Sequence, residues 1–216
     1  MSTCRPFFSV IITTFNRANL ITRAINSLIA QIETDWEAII VDDESTDNTC
    51  LHLLPYLSLY PKIKYVRQKH LGVALSKNTG IFSAQGRFIT FLDSDDEYYP
   101  SHLLLRKEIF IQNPSVKFLY GGVKIIGNQY VPDRFNYNKK IKLSKCAIGA
   151  AFFIDRRTAI SLNGFNDISL GTDADLFDRA QIAGIPMMKV NKATYIYHHE
   201  VENSITNGIK LKFQRT

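Results

Sequence analysis

FITFLDSDDEYYP, residues 88–100, joins an apolar run to a dense group of carboxylates. The apolar part belongs to RFITFL (87–92), which has the β-branched and aromatic composition of a buried strand. Three earlier runs of the same kind are each followed by a segment with helical spacing: FSVIITT (8–14), WEAIIVDD (36–43) and KIKYVRQ (62–68). Strands that alternate with helices are typical of βαβ units. The sequence therefore predicts an α/β fold with a mostly parallel sheet flanked by helices.

The segments between these strands have the apolar spacing of helices. The first is expected to begin with Asn19 as N-cap and to carry seven apolar residues on one face: Leu20, Ile21, Ala24, Ile25, Leu28, Ile29 and Ile32. The second is expected to start in ESTDNT (44–49) and to run to about Tyr60, and the third to run from Gly72 to Ala84.

After about residue 122 this alternation loosens. A strand is predicted at GAAFFID (149–155), followed by a helix at 156–163 and a second helix in GTDADLFDRAQIAG (171–184). A chain of 216 residues with 45% hydrophobic content is expected to form a single domain with its own core. We expect that domain to have two halves, residues 1–122 and 123–216, with the second as a cover over the first.

The charge of the chain favours anionic partners. The formal net charge is +6 and the pI is about 9.2, which does not distinguish nucleotide diphosphates, nucleic acid and acidic membranes. The densest basic stretch contains Lys139, Lys140, Lys142 and Lys145. It is interpreted as a solvated loop or as a site for phosphate or an acidic membrane surface. Its few aromatic residues argue against nucleic acid. A basic tail with Lys210, Lys212 and Arg215 suits either a membrane surface or solubility alone.

The cysteines and the hydropathy pattern favour a cytoplasmic protein. Cys4, Cys50 and Cys146 are widely spaced and odd in number, which predicts neither a disulfide framework nor a zinc site. No apolar stretch approaches the roughly 20 residues that span a bilayer. The N-terminal apolar run is soon interrupted by polar residues, so no signal peptide is expected.

Several common catalytic fingerprints are absent from the sequence. TTFNRAN (13–19), the first turn between strand and helix, contains no glycine, so the dinucleotide-binding motif G-x-G-x-x-G is missing. The chain also lacks a P-loop, a G-x-S-x-G nucleophile elbow and an H-E-x-x-H zinc motif. These absences leave serine hydrolases and zinc proteases without support.

Two acidic clusters, VDDES (41–45) and DSDDE (93–97), directly follow predicted strands. The carboxyl ends of parallel strands meet at one edge of a sheet, where ligands bind. Carboxylates at this edge repel each other unless a cation or hydrogen-bond donors compensate them. Mg²⁺ and Mn²⁺ prefer such oxygen ligands, whereas the alternative is that each cluster only caps the following helix.

Taken in order, the motifs of the chain resemble those of the family 2 glycosyltransferases, which have the GT-A fold. The resemblance covers nearly the whole chain: SVIITTFNR (9–17), VDDESTDNT (41–49), GVALSKNTGI (72–81), GRFITFLDSDDEYYP (86–100), GFND (164–167) and TDADLFDR (172–179). It implies a metal-dependent, inverting transfer of one sugar from a nucleotide-sugar, most commonly a UDP-sugar, to a hydroxyl of a glycan or lipid-linked acceptor. It also implies that the first half binds the nucleotide-sugar and the second half the acceptor.

The resemblance assigns most donor contacts to the first half of the chain. Thr14, Phe15 and Arg17 are expected to border the nucleotide, and Asp42 or Asp43 to bond the base. Lys77 stands where the family usually has arginine, and it replaces a bidentate fork with a point charge that still suits a diphosphate.

The remaining assignments concern the metal and the base. Asp95 is the expected ligand of a Mn²⁺ or Mg²⁺ ion, and Asp93 is expected to contact the ribose or a metal-bound water. Asp96 and Glu97 are expected to support them or to start the next helix.

Asp173 is the expected catalytic base, with Thr172 in place of the usual glutamate. His198, with His199 as second candidate, is expected near the metal or diphosphate, or simply at the end of an edge strand.

Other functions remain open at this point. A non-catalytic relative that binds sugar nucleotides fits the exchange at Thr172, whereas a nucleotidyltransferase would need a glycine-rich N-terminal loop that is missing. Trp36 is the sole tryptophan, so the Q-x-x-R-W motif of processive synthases cannot occur. Addition of a single sugar is therefore favoured.

Overall fold

The computed structural model describes residues 5–200 and shows one sheet of eight strands and a separate two-stranded hairpin. The strands are β1 Phe8–Thr14, β2 Trp36–Asp42, β3 Ile63–Arg67, β4 Phe88–Phe91, β5 Glu97–Tyr98, β6 Phe118–Gly127, β7 Tyr130–Asp133, β8 Asn136–Lys142, β9 Phe153–Asp155 and β10 Met187–His199. The helices are α1 Ile21–Ile29, α2 Thr49–Leu59, α3 Val73–Ser83, α4 His102–Gln112, α5 Arg156–Ser161 and α6 Thr172–Ile182. Short 3-10 turns lie at Leu143–Lys145 and Gly149–Ala151.

The large sheet has the strand order β3-β2-β1-β4-β9-β6-β10-β5. Strands β1 to β4 are parallel, and β6 and β10 continue in the same direction. The short strands β9 and β5 run antiparallel to their neighbours. The predicted α/β fold with a mostly parallel sheet is therefore confirmed, and the hairpin of β7 and β8 stands apart from it.

Both faces of the sheet are buried, and each strand contributes side chains to both because they alternate along it. In β1, Phe8, Val10 and Ile12 pack with apolar residues of α1, α2 and α4. Ile11 faces the other side and packs with residues of α3, α5 and α6. This two-sided burial explains why β1, β2 and β4 are continuous apolar runs in the sequence.

The predicted cap of the first helix is wrong. Asn19 is not the N-cap, because α1 begins at Ile21 and Leu20 precedes it without a capping side chain. The Ile21 N–H donates instead to the Arg17 carbonyl at 3.0 Å, so a tight backbone turn starts the helix. Ile32 lies beyond the end of α1 and is 61% exposed. The second and third helices agree with the predicted ranges to within about one residue at most ends.

The strand predicted at 149–155 begins only at Phe153. Gly149–Ala151 forms a 3-10 turn, in which the Phe152 N–H donates to the Gly149 carbonyl at 3.0 Å. The apolar composition of this segment predicted burial correctly, but it did not distinguish a buried turn from a strand.

Within residues 5–200, no helix has both the length and the hydropathy needed to cross a bilayer. Cys50 and Cys146 carry free thiols. Cys4 and the basic residues Lys210, Lys212 and Arg215 lie outside the described residues.

A histidine and an arginine of α4 are buried in the core. His102 is fully buried, stacks on the Tyr98 ring at 4.0 Å, and lies with Nδ1 2.9 Å from the Thr194 hydroxyl. Burial lowers the pKa of His102 well below its usual value, and the Arg106 guanidinium lowers it further, against a smaller opposing effect of the Thr194 hydrogen bond. His102 is therefore neutral in the folded chain at neutral pH.

We expect His102→Gln to remove part of the pH dependence of stability. Below about pH 6.5 the unfolded chain binds a proton at His102 that the folded chain does not. The stability that the neutral His102 side chain contributes is therefore fully present only above that pH. It should fall by about 1.4 kcal/mol per pH unit as the pH decreases. The free energy of unfolding in urea should therefore differ less between the wild type and the variant at low pH. The exposed His52 provides the control variant His52→Gln, because this change removes a histidine outside the core. A parallel curve for His102→Gln would contradict the assignment.

Candidate active site

The loops after β1 and β2 are tied together at the carboxyl edge of the sheet. The Asn16 N–H donates to the Ser45 hydroxyl at 2.9 Å, and the Thr46 N–H donates to the Asn16 side-chain oxygen at 2.8 Å. The Ala18 N–H donates to the Asp47 carboxylate at 3.1 Å. These bonds join the two loops into one unit at the predicted nucleotide site.

The residues expected to border the nucleotide all belong to this unit or its rim. Thr14 is buried, and its hydroxyl has no hydrogen-bond partner among residues 5–200. Phe15 is 41% exposed, and its ring lies 4.3 Å from the His70 ring at an angle of 32°. The Arg17 N–H donates to the Thr49 hydroxyl at 3.0 Å. The structure therefore brings Thr14, Phe15 and Arg17 to one rim and adds His70, which the sequence did not single out.

Hydrogen-bond donors surround the carboxylates of Asp42 and Asp43. Asp42 accepts bonds from the Ser45 N–H at 2.7 Å and from the Tyr65 hydroxyl at 2.6 Å. Asp43 accepts bonds from the N–H groups of Leu71 and Gly72 at 2.9 and 2.8 Å. Burial raises the pKa of Asp43, but these bonds outweigh it and hold the pKa below the usual value. Hydrogen-bond donors of the protein therefore compensate this cluster, and the His70 ring nitrogen lies 2.9 Å from the Asp43 carboxylate as well.

The second cluster lies next to a buried lysine. Lys77 of α3 is 6% exposed, and its ammonium lies 3.9 Å from an Asp93 oxygen and 3.5 Å from an Asp173 oxygen. Burial lowers the pKa of Lys77, but Asp173 and Asp93 raise it above its usual value. The structure thus brings together three predicted site residues: Asp93 from the loop after β4, Lys77 from α3 and Asp173 from α6.

Asp93 itself is in an unusual electrostatic environment. Desolvation raises the pKa of its carboxyl to about 6, Lys77 opposes this change, and the negative charges of Asp95 and Asp173 add to it. A carboxylate that is crowded by other carboxylates gains from an added cation, because a positive charge favours its ionised form. This crowding is the electrostatic condition that a metal ion or a positively charged group would relieve.

Asp173 lies in the first turn of α6, after Gly171 at φ 83°. One of its oxygens accepts a bond from the Gly149 N–H at 2.9 Å, and the other faces Lys77. A Cβ atom at position 149 would overlap the Asp173 carboxylate, so only glycine permits this approach. The sequence did not identify Gly149 as a site residue, although a glycine next to two alanines at a buried element is a signal of close approach.

Asp95 lies at the open side of the cluster. It is partly exposed, and within the described part of the chain its carboxylate accepts no hydrogen bond. Its carbonyl accepts a bond from the Arg23 guanidinium of α1. The backbone of Asp95 is therefore held while its carboxylate is available to a ligand. Arg23 is a site residue that the sequence did not reveal.

The expectation that Asp96 and Glu97 start the next helix is wrong. Asp96 is fully buried and accepts bonds from the Tyr195 hydroxyl at 2.6 Å and from the His198 N–H at 2.7 Å. Burial and the charges of Asp93 and Asp95 raise the pKa of Asp96 well above its usual value, against the effect of these bonds. Glu97 lies in β5, and α4 begins only at His102, after Pro100.

Tyr195 also receives a bond from the Asp93 N–H, at 3.3 Å. Its hydroxyl therefore links the backbone of Asp93 to the carboxylate of Asp96. This residue of β10 is a further support of the acidic cluster that the sequence did not single out.

His198 lies beside the acidic cluster, and its contact with a metal ion or a diphosphate stays a prediction. Its Nε2 atom lies 2.9 Å from a Glu97 oxygen and its Nδ1 atom 2.8 Å from a Glu200 oxygen. A metal ion that binds a ring nitrogen of His198 would have to displace the carboxylate that now contacts this nitrogen. His199 is buried, with Nδ1 2.5 Å from the Asn128 carbonyl, and does not share these contacts.

The donor set fits a divalent cation that is completed by a ligand. Among residues 5–200, no three His, Cys, Asp or Glu side chains are grouped to hold a metal ion on their own. Mg²⁺ and similar ions commonly take one or two carboxylates together with substrate phosphates. The available carboxylate of Asp95 and the crowded carboxylate of Asp93 match that arrangement.

The family model described as Glycosyl transferase family 2 matches residues 9–167 of the chain. UDP-Glc:alpha-D-GlcNAc-diphosphoundecaprenol beta-1,3-glucosyltransferase WfgD of Escherichia coli is 32% identical over 160 residues, which cover 71% of this chain and 61% of that protein. Chondroitin synthase of Escherichia coli is 30% identical over 196 residues, which cover 88% of this chain and 28% of that protein. The chain thus spans less than two thirds of the length of these relatives.

Solved structures share the fold at lower sequence identity. S. aureus TarS 1–349 in complex with UDP-GlcNAc superposes with a TM-score of 0.77 at 21% identity, covering 93% of this chain and 60% of that chain. The mannosyltransferase PcManGT from Pyrobaculum calidifontis in complex with GDP-Man and Mn2+ gives a TM-score of 0.74 at 17% identity, covering 98% and 61%. These similarities confirm the predicted GT-A fold.

We expect Tyr195→Phe to weaken the binding of Mn²⁺ in the presence of UDP. The change removes the hydroxyl that links Asp93 to Asp96, and loss of a residue that supports a metal site typically lowers affinity by about 10- to 100-fold. Isothermal titration of Mn²⁺ into the protein with excess UDP measures the effect. Tyr99→Phe is the matched control, because the Tyr99 hydroxyl contacts Lys124 and not the cluster. Equal affinities in the two variants would show that Tyr195 does not support the site.

Proposed function

The chain belongs to glycosyl transferase family 2, and from this we propose that it transfers one sugar from a UDP-sugar to a hydroxyl of a glycan or lipid-linked acceptor, with inversion and with a divalent cation. The observation that carries the proposal is the position of Lys77 between Asp93 and Asp173. Lys77 contacts both Asp93, in the motif after β4, and Asp173, which matches the catalytic base of the family. The residues proposed to bind the donor therefore lie next to the residue proposed to activate the acceptor.

Asp173 is proposed as the general base. It takes the proton of the acceptor hydroxyl while that oxygen attacks the anomeric carbon, and the bond from this carbon to the diphosphate breaks with its electron pair leaving on the diphosphate. The Gly149 N–H and the Lys77 ammonium orient the Asp173 carboxylate for this step. One displacement on the face opposite the leaving group inverts the anomeric configuration.

The cation, Mn²⁺ or Mg²⁺, would be held by Asp95, with Asp93 beside it and His198 as a further candidate ligand. When bound, it supplies positive charge that stabilises the leaving diphosphate. Lys77 lies within reach of Asp93 and adds a second positive charge on the protein side of the same cluster.

The nucleotide is proposed to lie across the joined loops after β1 and β2. Thr14, Phe15 and Arg17 would border it, and the paired rings of Phe15 and His70 offer an apolar face for stacking. A base contact with Asp42 or Asp43 would share a carboxylate that already accepts bonds from the protein. Asp43 also holds the loop that contains Leu71 at the rim of the site, because it accepts the Leu71 N–H.

The choice of donor and acceptor rests on the relatives. The name of WfgD specifies a UDP-sugar and a diphosphoundecaprenol acceptor, and TarS was solved with UDP-GlcNAc. PcManGT was solved with GDP-Man, so a GDP-sugar is the competing donor class. We place the reaction in the cytoplasm, at the inner face of a membrane.

We expect Asp173→Asn to lower the rate of transfer by about 10²- to 10⁴-fold, because loss of a general base typically costs this much. Thermal stabilisation by UDP-sugars and GDP-sugars with Mn²⁺ first identifies the donor. Transfer to an acceptor then gives kcat. Asp167→Asn is the control, since Asp167 is exposed.

Gly149→Ala tests the same base by steric means and should also lower kcat, because its Cβ displaces the Asp173 carboxylate. Normal transfer by Asp173→Asn would rule out the proposed base. If the wild type binds the donor but neither transfers the sugar nor releases UDP, the chain is a non-catalytic binding protein instead.

We expect Asp95→Asn to abolish the Mn²⁺-dependent part of UDP binding, whereas Asp173→Asn should leave it unchanged. The reason is that an amide is a much weaker cation ligand than a carboxylate. Titration of UDP with and without Mn²⁺ measures this difference. UDP binding that is equally Mn²⁺-dependent in Asp95→Asn would show that the ion is held elsewhere.

A further inference from the structure

The hairpin of β7 and β8 and the turn after it, residues 130–145, form a strongly basic surface that the proposed reaction does not use. We call it the basic hairpin. It contains five basic residues and one acidic residue, Asp133. The four lysines are all exposed: Lys139, Lys140, Lys142 and Lys145. Among residues 5–200, none of them pairs with a carboxylate.

An apolar side chain projects from the tip of the basic hairpin. Phe135 lies in the turn between the strands and is 85% exposed. The Asp133 carboxylate accepts the Phe135 N–H at 2.8 Å, so the single acidic residue is used within the turn. A large aromatic side chain with this exposure has no role in the core of the domain. Phe135 and the exposed lysines thus combine apolar and positive groups on one element, and the Arg134 guanidinium lies 4.5 Å from the Phe135 ring.

We propose that the basic hairpin binds the surface of an anionic lipid bilayer. The lysines match the negative surface potential of such a bilayer, and Phe135 suits the boundary between headgroups and acyl chains, where aromatic side chains are favoured. Among the described side chains of the basic hairpin, the exposed aromatic residues Tyr130 and Phe135 lie five positions apart, at the start of β7 and in the turn after it. They form no series of adjacent stacking platforms, so single-stranded nucleic acid fits this surface less well.

The contacts of the basic hairpin with α6 connect this surface to the site. Arg134 packs on Gly171, the residue before α6, and pairs with Asp178 of α6 at 2.5 Å. Asp173 lies in the first turn of the same helix. A bilayer bound at the basic hairpin would therefore lie near the helix that carries the proposed base. This last step rests on the proposed function, because it explains how a lipid-linked hydroxyl could reach Asp173, but binding to the bilayer does not require catalysis.

The test is flotation of the full chain with two kinds of vesicle, phosphatidylcholine alone and phosphatidylcholine mixed with phosphatidylglycerol. The wild type should bind the mixed vesicles alone, and high salt should weaken this binding. A variant with glutamine at Lys139, Lys140, Lys142 and Lys145 should bind about 600-fold more weakly, because each of the four lysines near an anionic surface contributes about fivefold.

The matched control has the same net charge as this variant. It carries glutamine at four exposed basic residues outside the basic hairpin: Lys124, Arg157, Lys189 and Lys192. It should bind the mixed vesicles nearly as well as the wild type. Equal losses in the two variants, or no loss in the hairpin variant, would overturn the proposal. Binding to a single-stranded oligonucleotide without preference for the mixed vesicles would also overturn it.

A fluorescence measurement tests the position of the tip independently. The native Trp36 is buried, so it contributes a constant background. The emission of Phe135→Trp should shift to shorter wavelength when mixed vesicles are added. Phe82→Trp is the control, because Phe82 lies on α3 and is 65% exposed. Its emission should not shift, and equal or absent shifts in the two variants would contradict binding through the basic hairpin.

Discussion

The buried ammonium of Lys77 is the constraint on which the site depends. It is 6% exposed and faces Asp93 at 3.9 Å and Asp173 at 3.5 Å. Leaving a buried charge without a partner typically costs about 3–5 kcal/mol, so before a donor binds Lys77 keeps both carboxylates close. Lys77 and Asp93 belong to the first half of the chain and Asp173 to the second. Charge compensation therefore fixes the relative position of the two halves where the proposed reaction takes place.

A second connection orients the acidic residues themselves. Along residues 93–96 the side chains alternate, with Asp93 and Asp95 partly exposed and Ser94 and Asp96 buried. Asp96 points into the protein, where Tyr195 and the His198 N–H bind it. The inward residue therefore acts as an anchor, and it sets the direction in which Asp93 and Asp95 face.

The sequence predicted the local elements well because their signals are local. Apolar runs and helical spacing were enough to place the first four strands and the helices between them. The pairs Gly149 with Asp173 and Asp96 with Tyr195 could not be predicted in this way, because they join residues 24 and 99 positions apart. The same limit left open how the VDDES cluster is compensated, since the donors to Asp43 come from the loop after β3.

The two departures from the family pattern, Lys77 and Thr172, have related consequences under the proposed mechanism. Because threonine stands at 172, no glutamate next to Asp173 competes with it for the Lys77 ammonium. An ammonium on a flexible stem can turn from one anion to another, whereas a guanidinium fork is held by its paired bonds. The diphosphate of a bound donor would offer Lys77 a stronger partner than Asp173 does. Asp173 would then be released to accept a proton only after the donor has bound, which would couple acceptor activation to donor binding.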